Sequence, residues 1–278
     1  MHSMKRFILA ALTLGGIGLT SQHSHAQMVI GSFDATRGGI YNTETGSQTT
    51  NFRTQVATNF PGTTYSSTST LTPAFLSGIN VLAISAVFSG TTGISPLSSS
   101  EQTALLNFIQ AGGRALLFTD NDLQFGAASI SMVSPFGLNT TGNIPGATTA
   151  TVTNGSHPIT NGPFGSITTI NYNSFPSWYT TLGANAIELA RQTFNNEISL
   201  AVINPGVLNP GSGAVVFFAD STIDNFSLTG NTVTLVNNAL AFVAVPEPSS
   251  ILMLGSAAVV GGIGAFRYRR KKGLGKGW

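Results

Sequence analysis

The chain has 278 residues, of which 8% are charged and 42% apolar, with 32 glycines and no cysteine. That apolar content at low charge excludes a disordered polymer and predicts a folded, sheet-containing protein long enough to bury a core. Without cysteine there are no disulfides, thiolate metal sites or cysteine nucleophiles. The formal net charge of +2 hides an uneven distribution, because two of the twelve basic residues lie near the start and six follow Phe266. Between Met28 and Ala244 only Arg37, Arg53, Arg114 and Arg191 face nine acids, a net charge of about −5. Such a segment lacks the basic face that a phosphate backbone requires, so nucleic acid is not an expected partner.

Residues 1–26 read as a secretory signal peptide. Lys5 and Arg6 precede an apolar run from Phe7 to Leu19, and the small residues Ser24 and Ala26 prepare a cut before Gln27. The exported body, 28–244, opens on a buried strand, Met28 to Phe33, that ends in Asp34. A weakly helical polar segment follows over 46–60. INVLAISAV (79–87) is a continuous β-branched run, as in a strand covered on both faces. The clearest helix comes next: Ser98 and Glu101 form a capping box, Leu105, Phe108 and Ile109 supply an apolar face, and Gly112-Gly113 stop it. ALLFT (115–119) then forms a second buried strand ending in Asp120-Asn121-Asp122. Strand, helix and strand in that order predict a parallel sheet.

The Thr-, Asn- and Gly-rich stretch 137–165 is expected to be a loop or edge hairpin. Later strands are predicted at 187–190, 198–203 and 214–219, the last ending in Asp220. A closing amphipathic helix over 231–243 carries Val233, Val236, Leu240 and Val243 on one stripe. With no internal repeat, the body is one α/β domain.

After the body comes VPEPSSILMLGSAAVVGGIGAFRYRRKK (245–272). Ile251 to Phe266 is uncharged, and as a helix it rises about 24 Å against a hydrocarbon core of about 30 Å. Flanking serines and snorkelling arginines can close that gap. Arg267, Arg269, Arg270, Lys271 and Lys272 place the tail in the cytoplasm and the body outside. Pro246-Glu247-Pro248, a short transmembrane helix and a basic end resemble the PEP-CTERM sorting signal of Gram-negative bacteria, here over 246–272. The resemblance implies recognition of Pro246, Glu247 and Pro248 by exosortase, a membrane processing enzyme. It also implies a partnership with the cytoplasmic membrane, and an association with exopolysaccharide and biofilm in the extracellular matrix.

Within the body, NVLAISAVFSG, LSSSEQTALLNFIQAGGRALLFTDND, NGSHPITNGPFG and GAVVFFAD resemble the class I glutamine amidotransferase-like fold. That likeness implies a flavodoxin-like parallel-sheet domain with helices on both faces. Catalytic members carry a cysteine in a tight turn after a central strand; here the turn reads Phe118-Thr119-Asp120-Asn121-Asp122, so amidotransferase chemistry is excluded.

Three features bear on whether the body does chemistry. Asp34, Asp120 and Asp220 each end a predicted strand, where open parallel sheets bind ligands. With Asp122 and Asp224 they could hold a hard cation such as Ca2+, or they could simply cap helices and turns. His157 is the only histidine after the signal peptide, and no G-x-S-x-G elbow accompanies it. No P-loop, G-x-G-x-x-G or H-E-x-x-H pattern occurs. In INYNSFPSWYTTL, Tyr172, Trp178 and Tyr179 lie near Phe175, Asn171 and Asn173, a composition suited to stacking on sugar rings and equally to core packing. The expectation is therefore an exported, non-catalytic surface or matrix protein. Its alternatives are a surface hydrolase or metal-dependent enzyme using the strand-end aspartates, and a purely structural matrix protein.

Overall fold

The computed structural model describes residues 27–244; the expected signal peptide and the sorting segment lie outside the described residues. Eleven strands form one mixed sheet. They are β1 (Val29–Phe33), β2 (Thr64–Thr68), β3 (Val81–Ser85), β4 (Arg114–Phe118), β5 (Asn139–Thr141), β6 (Thr148–Val152), β7 (Thr169–Tyr172), β8 (Trp178–Thr181), β9 (Ile187–Gln192), β10 (Ile198–Ile203) and β11 (Val215–Phe218). Along the sheet the order is β7-β6-β9-β10-β11-β4-β3-β1-β2, with β8 pairing β10 and β5.

The half β2-β1-β3-β4-β11 is parallel throughout. Counted by first appearance, its order is 2-1-3-4-5, the flavodoxin-like arrangement. The other half departs from the expected parallel sheet: β10 runs antiparallel to β11, and β9, β6 and β7 follow antiparallel. The cause is local. Only 193–197 separate β9 from β10, with Asn196 at φ +60°, and so short a link permits a hairpin but no crossover.

Helices cover both faces: α1 (Ala35–Gly38), α2 (Thr50–Asn59), α3 (Pro73–Leu76), α4 (Ser99–Gln110), α5 (Asp122–Val133) and α6 (Asn231–Ala244). Strand alternation divides the core in two. Leu82, Ile84, Leu117 and Phe217 face one side, where Leu105 and Ile109 of α4 and Phe125 and Met132 of α5 pack. Val81, Ala83, Phe118 and Phe218 face the other, with Phe52 and Val56 of α2 and Leu235, Val236 and Leu240 of α6. Register places Phe118 beside Phe218, their rings stacked at 4.7 Å.

The capping box of α4 is present, with Ser98 Oγ accepting from Glu101 N–H and Glu101 Oε2 accepting from Ser98 N–H at 2.9 Å. Helix α5 was not expected from the sequence. Seven of its twelve residues are buried, and its alanines, serines and single glycine leave no polar stripe at helical spacing to betray it. The starts of β4 and β11 approach so closely that a Cβ on Gly213 would overlap the Gly113 carbonyl.

Candidate functional site at the carboxyl edge of the sheet

In an open parallel sheet, ligands are taken at the carboxyl ends of the strands where the order reverses, here between β1 and β3. Three expected aspartates stand along that edge. Asp34, after β1, is a helix cap: its Oδ1 accepts from Thr36 N–H (2.9 Å), Arg37 N–H (3.2 Å) and Thr36 Oγ1–H (2.6 Å). Beside it the crevice is narrowed by the chain itself, since Gly39 packs so closely on Phe88 that a Cβ there would overlap the Phe88 carbonyl and ring. A polar cleft of about 490 Å³ remains, with Thr36, Phe88 and Ser95 on its walls and the buried pair Arg37–Glu101 at its margin. Arg37 donates to Glu101, Ser69 O and Ser95 O, and lies over the Phe33 ring at 4.1 Å. Burial opposes the Glu101 carboxylate. The Arg37 guanidinium and the N–H groups of Ser98 and Leu71 outweigh it and draw its pKa down to about 2.

Further along, β4 and β11 deliver Asp120 and Asp220, both buried. Asp120 Oδ1 accepts from Asn121 N–H (2.7 Å) and Asn121 Nδ2–H (3.0 Å). Asp220 Oδ2 has no hydrogen-bond partner among the described residues. Ser221 and Ser85, the latter closing β3, join their hydroxyls at 3.0 Å. Asp224 accepts from Tyr41 O–H at 2.9 Å and from Phe226 N–H at 2.9 Å. Among the described residues no arginine or lysine offsets Asp120 and Asp220, so burial raises both carboxyls, and the charge of Asp120 raises Asp220 further. Burial also raises Asp224, and burial with the Asp224 charge raises the Tyr41 phenol.

The five acids therefore do not form one cation site. The charges of Asp120 and Asp224 both bear on Asp220, but Asp34 is spent on its cap. Asp122 Oδ2 accepts from Thr141 Oγ1–H (2.6 Å) and Gly142 N–H (2.7 Å), bonds that lower its pKa and tie α5 to β5. Among the described residues no group of three or more His, Asp or Glu is placed to hold a metal ion. Tyr41, Ser85 and Ser221 belong to this cluster although nothing in their sequence surroundings marks them.

His157 stands at the opposite, amino edge, in the loop after β6. Its Nδ1 accepts from Ile159 N–H (3.2 Å), which leaves Nε2–H to donate to Asn204 Oδ1 (2.9 Å), and its ring meets Phe242 edge-on at 5.2 Å. Burial lowers its pKa and keeps the imidazole neutral. The full depth of the sheet separates it from Asp120 and Asp220.

The expected sugar-stacking trio is overturned by strand alternation. Trp178 and Tyr179 are neighbours in β8 and so point to opposite faces. Tyr179 is buried in the core on the α4–α5 side, where its hydroxyl lies 3.1 Å from Thr119 Oγ1. Tyr172 is buried in the other core, donating to Ser199 O. Trp178 is half-buried, its ring against Gly142. Their neighbours are exposed instead: Asn171, Asn173 and Phe175, with Phe226 from the loop after β11. Between β6, β7 and that loop lies a pocket of about 300 Å³ containing Asn171, Asn173 and Phe226. At the amino edge, by contrast, a groove of about 700 Å³ is walled by Phe60, Pro61 and Phe164, and both Gln27 and Ala244 border it.

Pro246, Glu247, Pro248, Arg267, Arg269, Arg270, Lys271 and Lys272 lie outside the described residues, as does the expected span 251–266. Among the described residues no helix is long and apolar enough to cross a membrane. Comparison with curated protein sequences finds no match. The body is similar to the N-terminal domain of mmIFT52 (12% identity, 80% of this chain and 99% of that one, TM-score 0.59). It is also similar to a candidate GMP synthase component from Thermoplasma acidophilum (12%, 79% and 96%, TM-score 0.52). A glutamine amidotransferase from Methylobacillus flagellatus superposes more loosely (13%, 69% and 68%, TM-score 0.42). Identities this low speak to the fold alone. A family match of another kind covers the end of the chain: residues 244–271 are a PEP-CTERM protein-sorting motif, carried behind a flavodoxin-like α/β body.

Proposed function

We propose that the protein is an exported, non-catalytic surface or matrix protein, processed at Pro246-Glu247-Pro248 by an exosortase-type enzyme and associated outside the cell with exopolysaccharide. The sorting motif over 244–271 carries this reading. Before processing, the body stands outside the cytoplasmic membrane, the run 251–266 spans it, and the basic tail stays inside. Several features of the body support a role without turnover. The strand-end crevice is narrowed by Phe88, the carboxyls of Asp120 and Asp220 are raised by burial with no cation beside them, and the single histidine of the body sits at the far edge, out of reach of any nucleophile there. A sparsely charged surface rich in hydroxyls and amides suits contact with a hydrated polysaccharide.

Two measurements test the reading. In the producing bacterium, Glu247→Ala should leave the protein in the membrane fraction while the wild type is shortened and released; unchanged release in the variant overturns the sorting role. Released wild type should co-sediment with polysaccharide extracted from the same culture, and failure to do so overturns the matrix association.

A further inference from the structure

We infer that the pocket between β6, β7 and the loop after β11 is a binding site for a neutral saccharide; this rests on the proposed exopolysaccharide association and gives it a place in the fold. The pocket's composition points to that ligand. Its volume of about 300 Å³ is at the small end of ligand sites and matches one or two sugar rings. No charged side chain lines it. Its wall carries the side-chain amides of Asn171 and Asn173 and the hydroxyls of Thr148 and Thr229. Among the described residues none of these four groups has a hydrogen-bond partner, so each is free to bind. A sugar hydroxyl both donates and accepts, as does an amide or hydroxyl side chain, so the two sets pair without any group having to ionise.

The aromatic component is equally specific. Phe226 is 64% exposed, an unusual state for the largest apolar side chain of a pocket wall. A phenyl face turned to water beside free amides suits the C–H face of a pyranose ring. Phe175 does not line the pocket itself but lies two residues beyond Asn173, which does, and is 45% exposed. Its φ of +50° lies in the left-handed region that bulky residues rarely enter. The surrounding chain holds it there. Phe175 N–H donates to Gly146 O (3.3 Å), and Ile144 N–H donates to Pro176 O (3.2 Å). Strain of this kind persists where neighbouring structure imposes it, and here its result is a second phenyl ring presented outward. Absence of charge selects a neutral sugar over a uronate or a sulfated one.

The test is affinity electrophoresis of the full-length protein through gels containing dextran, yeast mannan or barley β-glucan, with alginate as the anionic comparator. At least one neutral polymer should retard the wild type more than alginate does. Phe226→Ala should weaken that retardation about tenfold, the scale of one lost aromatic contact. Asn171→Ala combined with Asn173→Ala should do the same, with melting temperatures unchanged because all three side chains are exposed. Retardation that persists equally in both variants overturns the site, yet leaves standing an association already seen by co-sedimentation. Stronger retardation by alginate, or none by any neutral polymer, overturns the neutral-saccharide assignment.

Discussion

Replacing Asp120 with asparagine should remove a large part of the protein's pH dependence. Asp120 is buried without a cation, and its pKa rises from the ordinary 3.8 to about 7. The unfolded chain releases this proton near pH 3.8, whereas the folded chain holds it until near pH 7. Between those values the folded state binds more protons, so stability falls as pH rises. A shift of about three pH units at 1.36 kcal/mol per unit is a loss of about 4 kcal/mol, a large share of the 5–15 kcal/mol typical of a domain. Asp220, raised by burial and by the charge of Asp120, adds a second proton to the same slope. Asparagine preserves the acceptor that meets Asn121 N–H and Nδ2–H but cannot ionise. Urea unfolding followed by far-UV circular dichroism at unit steps from pH 4 to 8 should give similar stability for both proteins near pH 4. The wild type should then fall further, ending up to about 4 kcal/mol below Asp120→Asn near pH 8. Parallel profiles would refute the assignment of a buried, neutral Asp120.

Arg37→Ala strands the Glu101 carboxylate between Leu71 and the start of α4, and should cost about 3–5 kcal/mol, as breaking a buried ion pair does; a loss under 1 kcal/mol by chemical denaturation would mean that solvent already screens the pair. Gly213→Ala places a methyl group against the Gly113 backbone where β4 and β11 begin. With no flexible side chain to give way, destabilisation of about 1–3 kcal/mol should appear as a lowered urea midpoint at unchanged slope, and an unaltered midpoint would contradict the close approach.

The parallel half of the fold was legible because its strands are continuous apolar runs bounded by capping signals. INVLAISAV, the Ser98–Glu101 box and ALLFT each state their structure within a dozen residues. In the antiparallel half, β9 and β10 were legible as strands but their direction was not, since hairpin length sets it; β5 to β8 were hidden because they are short and rich in threonine and asparagine. The strand-end aspartates could be located in the sequence, but their environments could not. Asp34 is a cap, Asp122 a tie between α5 and β5, and Asp120 a buried acid, distinctions that depend on which loops fold over each strand end. Adjacency misled most at Trp178 and Tyr179, since neighbours in a strand face opposite ways. Phe226 carried no signal at all: a single phenylalanine in NFSLTG acquires meaning only when the chain brings it beside Asn171 and Asn173.

The placement of Gln27 and Ala244 on one groove at the amino edge sets how the body would be moored. Only 245–250 separate Ala244 from the apolar run, and six extended residues reach about 20 Å at most. Under the proposed topology that edge faces the bilayer at short range, and the carboxyl edge, about 17 Å away across five-residue strands, looks out toward the medium. Signal removal and sorting would both cut the chain on the membrane-facing side, so neither event touches the pocket beside Phe226. Binding competence would then be the same for the moored and the released protein, and a fluorescent tag joined at Gln27 would leave that outward surface free.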